Sequence, residues 1–258
     1  MKWLRICIVI SVAIMSGCIK ASPTLIIKAD GSGNLELNYS ISEASINQMK
    51  AMSKLKQQMA LAAGTALPNV DGDDLLQLFM DPDEDRITAK VKKYRDLGIE
   101  LKRIKISSRN AWRFIEINLS FLDIKKLEKA DFFRENGFNL TQRHDGSYLL
   151  SKPAARQKDS KAASDKSADP KELAFLSPIM SGFTVEIKFE FPGRMIDTNA
   201  HSKNLNTAEW RFEFDKDSDA LSKLQNQDFR VIFEGKSLKL PNVQMNPPSG
   251  VNATPNKT

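Results

Sequence analysis

The segment from Phe183 to Phe191 places Phe183, Val185, Ile187, Phe189 and Phe191 at every second position, with Thr184, Glu186, Lys188 and Glu190 between them. A period of two sends alternate side chains to opposite faces of a strand, whereas a helix would smear both sets around its circumference. The stretch therefore reads as a β-strand with one aromatic and one charged face. Ala111–Phe121 repeats the pattern with Ile115, Ile117, Leu119 and Phe121, as do Glu209–Phe214 (Trp210, Phe212, Phe214) and Asp228–Glu234 (Phe229, Val231, Phe233). Strands of this kind need a sheet with one covered side, or a partly closed barrel with a greasy interior.

The order of elements narrows the fold class. Thr24–Asp30, the turn Gly31-Ser32-Gly33 and Asn34–Ile41 form a hairpin. Ser42 then has the character of a helix N-cap with Glu43 in the first turn, and Ile46, Met49, Met52, Leu55, Met59 and Ala62 recur at helical spacing up to Ala63. Shorter helices are expected over Asp74–Met80 and Asp83–Leu97, the latter closed by Gly98. In Ile99–Ser107 the apolar phase slips near Lys102-Arg103, as a β-bulge would make it do. A short helix at Asp123–Lys129 precedes a hairpin over Gly137–Lys152 that turns at His144-Asp145-Gly146-Ser147, and another short helix is expected near Ser218–Gln225. The whole is an α+β pattern in an antiparallel or mixed sheet, with one long helix after the first hairpin.

The amino terminus carries a different message. Lys2 and Arg5 precede an apolar run from Ile6 to Met15, shorter than the roughly 20 residues a membrane-spanning helix needs. The run ends Met15-Ser16-Gly17-Cys18, which resembles the lipobox of bacterial lipoproteins. A thiol is required for the thioether to diacylglycerol, and small residues before it let a peptidase reach the bond. Residues 1–17 are thus expected to be a lipoprotein signal peptide, with Cys18 the lipidation site and acyl chains such as palmitate the anchor. The other cysteine, Cys7, lies inside the signal, so Cys18 has no disulfide partner in the processed chain. The bland alternative is an ordinary secretory signal in which Cys18 is incidental, or an uncleaved anchor helix. Ile19 and Lys20 follow the cysteine; in a Gram-negative host this favours the outer membrane.

About 240 residues remain, with ordinary apolar (41%) and charged (27%) content for a folded domain. The net charge of +6, which includes Lys2 and Arg5, is too small and scattered for nucleic-acid binding. The segment 153–170 is Ala, Ser, Lys and Asp with almost nothing to bury, and is expected to be a flexible insert. Residues 241–258 read as a disordered tail.

Motifs for chemistry are sparse. His144 and His201 both fall in polar turns or loops, and no Gly-x-Ser-x-Gly, His-Glu-x-x-His or P-loop pattern occurs. The acidic runs Asp71–Asp74 and Asp81–Asp85 suggest calcium, but an EF-hand counted from Asp81 would place Arg86 and Lys92 at its Gly and Glu positions. They read instead as helix N-terminal acids, and no metal or cofactor is expected. Two features bear on amphipathic ligands: the stripe Met49, Met52, Met59, and the basic set Lys102, Arg103, Lys105, Arg109, Arg113. Each has a plain reading, as core packing and as a solvated sheet face.

Three stretches carry a family resemblance. Leu25–Leu37 resembles the opening hairpin of the LppM-like domain of bacterial envelope lipoproteins, Leu97-Gly98-Ile99 through Asp123 is similar to its middle section, and Phe191–Asn199 with Trp210 resembles its Pro-Gly, Asn and Trp signature. The resemblance implies one LppM-like domain over residues 18–240, an envelope location and binding of lipid or glycolipid. It implies no catalytic residues. The expectation is a non-enzymatic lipoprotein, attached by its lipid, that binds a lipid or an envelope protein partner; the alternative is a structural or assembly subunit without a ligand.

Overall fold

A computed structural model of the chain describes residues 19–62, 81–134, 137–154, 182–217 and 219–235. Its framework is a seven-stranded mixed sheet in the order β3-β4-β2-β1-β7-β10-β9 and a four-stranded antiparallel sheet in the order β5-β6-β11-β8. The large sheet comprises β1 (Ile19–Ile27), β2 (Gly33–Ser42), β3 (Ile99–Arg109), β4 (Trp112–Phe121), β7 (Phe183–Glu190), β9 (Ser202–Lys203) and β10 (Thr207–Glu213). The small one comprises β5 (Asn139–Gln142), β6 (Tyr148–Lys152), β8 (Met195–Thr198) and β11 (Phe229–Phe233). The helices are α1 (Glu43–Ala62), α2 (Glu84–Lys92), α3 (Ile124–Leu127), α4 (Asp131–Arg134) and α5 (Ala220–Asn226). This is the expected α+β class with a mixed sheet. No closed barrel forms among the described strands: the large sheet ends openly at β3 and β9, and the aromatic face is covered by a second sheet.

Local chemistry explains most boundaries. The two hairpin turns repeat one solution, Asp-Gly-Ser: Asp30 Oδ1 accepts from Ser32 N (3.0 Å) and Asp145 Oδ1 from Ser147 N (3.0 Å), around Gly31 and Gly146 at φ of 84° and 78°. Those hydrogen bonds, led by the one from the Ser hydroxyl, hold both carboxyls below the usual Asp range. Ser42 caps α1 by accepting from Ser45 N at 3.2 Å, and Asp83 caps α2 by accepting from Arg86 N at 2.8 Å. The expected helix over Asp83–Leu97 is cut short at Lys92; a 3-10 turn, Arg95–Leu97, follows and ends at Gly98 with φ 72°. The bulge is where the phase slip puts it, between Leu101 and Arg103.

β1 begins at Ile19, five residues before the expected Thr24. Pro23 conceals this in the sequence, because it cannot donate to a ladder. The parallel pairing with β7 breaks at Ser22-Pro23 and resumes at Thr24, while the antiparallel pairing with β2 runs through unbroken. β8 and β9 were not expected, since both are short, β8 is only partly buried and β9 is exposed.

The core lies between the two sheets. Trp210 (0% exposed) and Phe189 stand 5.4 Å apart, and Trp210 meets Phe229 of the small sheet at 4.9 Å. Phe191 stacks on Phe233 at 4.5 Å. Each fully buried large side chain contributes about 1.5–3 kcal/mol, and edge-to-face pairs add about 0.5–1.5 kcal/mol. Ile124, Leu127 and Phe133 of the short helices extend this cluster over Ile99 and Phe121. A second cluster of Ile19, Ile41, Ile46 and Ile115 seats the start of α1 on the sheet, with Met49 packed against it. Met49 is thus a core residue. Between the clusters runs a half-buried cross-strand row, Pro23, Leu37, Ile117 and Ile104.

Candidate functional site: the open face of the large sheet

The register aligns polar residues across the other face in three rows. Lys20, Ser40 and Phe114 form the first; Ser22, Asn38 and Glu116 the second; Thr24, Glu36 and Asn118 the third. On β3, Lys105 pairs with Glu116 and Arg103 with Asn118. Together these strands floor an open depression of about 420 Å³ lined by Lys20, Ser22, Glu36, Asn38, Arg103, Phe114 and their neighbours. Arg103 and Lys105 each approach the Glu116 carboxylate to 3.6 Å, a solvated arrangement worth little to stability. The floor offers amide and hydroxyl donors and acceptors, two carboxylates, two cations and one aromatic ring. That set suits a neutral or zwitterionic polar group with several hydroxyls better than a single anion.

The basic set read from sequence does not act as one patch. Arg103 lines the depression and Lys105 reaches its Glu116 carboxylate from outside, whereas Lys102, at the bulge, pairs with Glu100 at 2.6 Å. Arg109 lies over the Phe114 ring at 5.7 Å, and Arg113 pairs with Asp81 at 3.0 Å. β3 is also an edge strand, where a bulge and Lys/Arg side chains discourage pairing with another chain. The half-buried apolar row lies on the opposite face of the sheet from Arg103 and Lys105, so the basic side chains do not ring an apolar pocket.

His144 is exposed in its turn. His201, also exposed, accepts through Nδ1 from Arg211 N at 3.0 Å and meets Phe212 edge-on at 5.5 Å. A second depression beside it is lined by ion-paired side chains: Arg211–Glu213 (2.9 Å), Lys216–Glu213 (3.0 Å) and Lys223–Asp217 (2.5 Å). No group of three or more His, Cys, Asp or Glu among the described residues could hold a metal ion. No described helix is long and apolar enough to cross a membrane. Cys18, the signal, the acidic run Asp71–Asp74, the helix expected over Asp74–Met80, the side chains of Met52 and Met59, nearly all of the 153–170 insert and the tail lie outside the described residues.

No family model and no curated protein sequence matches the chain. Among solved structures it is similar to the folded domain of LppM from Mycobacterium tuberculosis, determined by NMR, with a TM-score of 0.41 and 12% identity over 85% of this chain and 91% of that one. A likeness of that degree assigns no function, and the family resemblance continues to rest on the sequence motifs that carry it.

Proposed function

We propose that the chain is an exported lipoprotein, held on a membrane by acyl chains on Cys18, that binds the polar part of an amphipathic molecule in the depression without transforming it. The observation that supports this most is the position of Lys20. It stands two residues beyond Cys18 in the sequence and forms the first row of the depression, beside Phe114. The depression therefore carries Lys20 and Phe114 at the anchored end and Glu36, Asn118 and Arg103 furthest from it. An amphipathic molecule with its chains in the membrane would present its head group in that order.

The test is mass spectrometry of small molecules retained by the chain from Ile19 onward, secreted without its anchor and purified without detergent. The reading expects an amphipathic molecule bound to the native chain and lost from Asn38→Trp, which fills the depression. If nothing is retained by either, the ligand reading fails and the alternative, a structural or assembly subunit, takes its place.

A further inference from the structure

We infer that one end of the large sheet lies flat on the bilayer that carries the Cys18 acyl chains, with the β3–β4 turn as its contact; the inference rests on the lipid anchor proposed above. No linker separates Cys18 from the first strand of the sheet. Cys18 is joined by one peptide bond to Ile19, so their Cα atoms are about 3.8 Å apart. Ile19 is 6% exposed and already paired on both sides, with Ile41 of β2 and Phe183 of β7. A lipid on Cys18 thus tethers the middle of a seven-stranded sheet with no slack.

The register then says what else lies at that level. β2 runs antiparallel to β1, so Ser42 lies one residue past the Ile19–Ile41 pair, at the end of the sheet where β1 begins. Trp112 pairs with Ser42. Two strand spacings place Trp112 about 10 Å to the side of β1 at the height of the anchor. The turn residues Asn110 and Ala111 follow from there, away from the sheet. This turn has the composition that suits a membrane interface: a half-buried Trp112 with Arg109 beside it and Arg113 just above. On the other side of β1, Phe183 is level with Ile19 and meets Phe214 at 4.9 Å, with exposed Lys216 beyond. Of the acids at this end, Asp81 pairs with Arg113 and Asp215 accepts from Gly182 N, while Glu43 is exposed in the first turn of α1.

Tryptophan reports on this directly. The three tryptophans are Trp3, Trp112 and Trp210; Trp3 leaves with the signal and Trp210 is buried. The full-length chain carrying Trp210→Phe is isolated from membranes, its acylation checked by mass spectrometry, and reconstituted into phosphatidylcholine–phosphatidylglycerol vesicles brominated near the head group or deep in the acyl chain. Trp112 emission should be quenched at least twofold by the shallow bromines and less by the deep ones. A 20-residue Gly/Ser spacer between Cys18 and Ile19 should remove most of that quenching. If Trp210→Phe does not fold, the difference between the native chain and Trp112→Phe gives the same readout. Acylated protein that floats with the vesicles but shows no quenching overturns the orientation and leaves the anchor standing. Protein that is not acylated and does not float overturns both.

Discussion

Removing the Glu128 carboxylate should loosen the small sheet from the short helices. Glu128 and Lys125 form a 2.9 Å ion pair with side chains only 16% and 17% exposed. Both also reach Leu140 at the β5 edge: Leu140 N donates to Glu128 Oε1 at 2.6 Å, and Lys125 Nζ donates to Leu140 O at 2.5 Å. Leu140 is 0% exposed, so water cannot easily replace these partners. Glu128→Ala removes a charge-assisted hydrogen bond worth about 1.5–3 kcal/mol and leaves a buried N–H unpaired. Partial exposure of the pair holds the total to about 2–3 kcal/mol. Glu128→Gln keeps an oxygen for Leu140 N–H and should cost about 1 kcal/mol. Equilibrium urea unfolding of the chain from Ile19 onward measures both. Equal losses below about 0.5 kcal/mol for the two variants would show the pair to be solvated and the reasoning wrong.

Ala111 sits at φ 58° in a two-residue turn beside Asn110 at φ 52°. Ala111→Gly should therefore stabilise the chain by about 0.5–1 kcal/mol, read as a raised urea midpoint with an unchanged slope. Gly33→Ala would drive a Cβ into the Ile26 carbonyl oxygen and the Phe121 ring; a loss of about 3 kcal/mol in the same assay is expected. Burial pushes the Tyr39 phenol up to about 12, against a smaller opposing pull from Arg113. A folded-state pKa raised in this way contributes stability that is whole below the unfolded value near 10 and declines as pH rises through about 12. In an absorbance titration at 295 nm, a step near pH 12 should vanish in Tyr39→Phe.

How much of this could be read from residues alone follows from what alternation encodes. β4, β7, β10 and β11 declare themselves because each alternates over five or more residues, and the β3 bulge declares itself because it breaks that alternation in mid-strand. Ser42 is legible as a cap because its partner lies three residues away, whereas Asp83, read as the start of a helix, is its cap in the structure. Pairing partners are another matter. The parallel ladder from Ile19 to Phe183 joins segments far apart in the chain, and nothing in either strand names the other. For the same reason the site was not legible. Ser22, Asn38 and Glu116 each look like an ordinary solvated position, and become one row only when three strands are set in register. The basic set failed as a single patch through the same bulge that was read correctly, since Lys102 leaves the ladder there and resets the phase of every residue after it. Pro23 hid the first five residues of β1, and with them the close joining of Cys18 to the sheet.

The proposed attachment to a membrane depends on lipid at Cys18. Mass spectrometry of the amino-terminal peptide, from the full-length chain made in a bacterium and recovered with its membranes, tests it most directly. The predicted result is a peptide that begins at Cys18 and carries diacylglycerol on Sγ, with Cys18→Ser released from the membrane fraction. An unmodified Cys18, or a Cys18→Ser variant that stays with the membranes and keeps an acyl label, would contradict it.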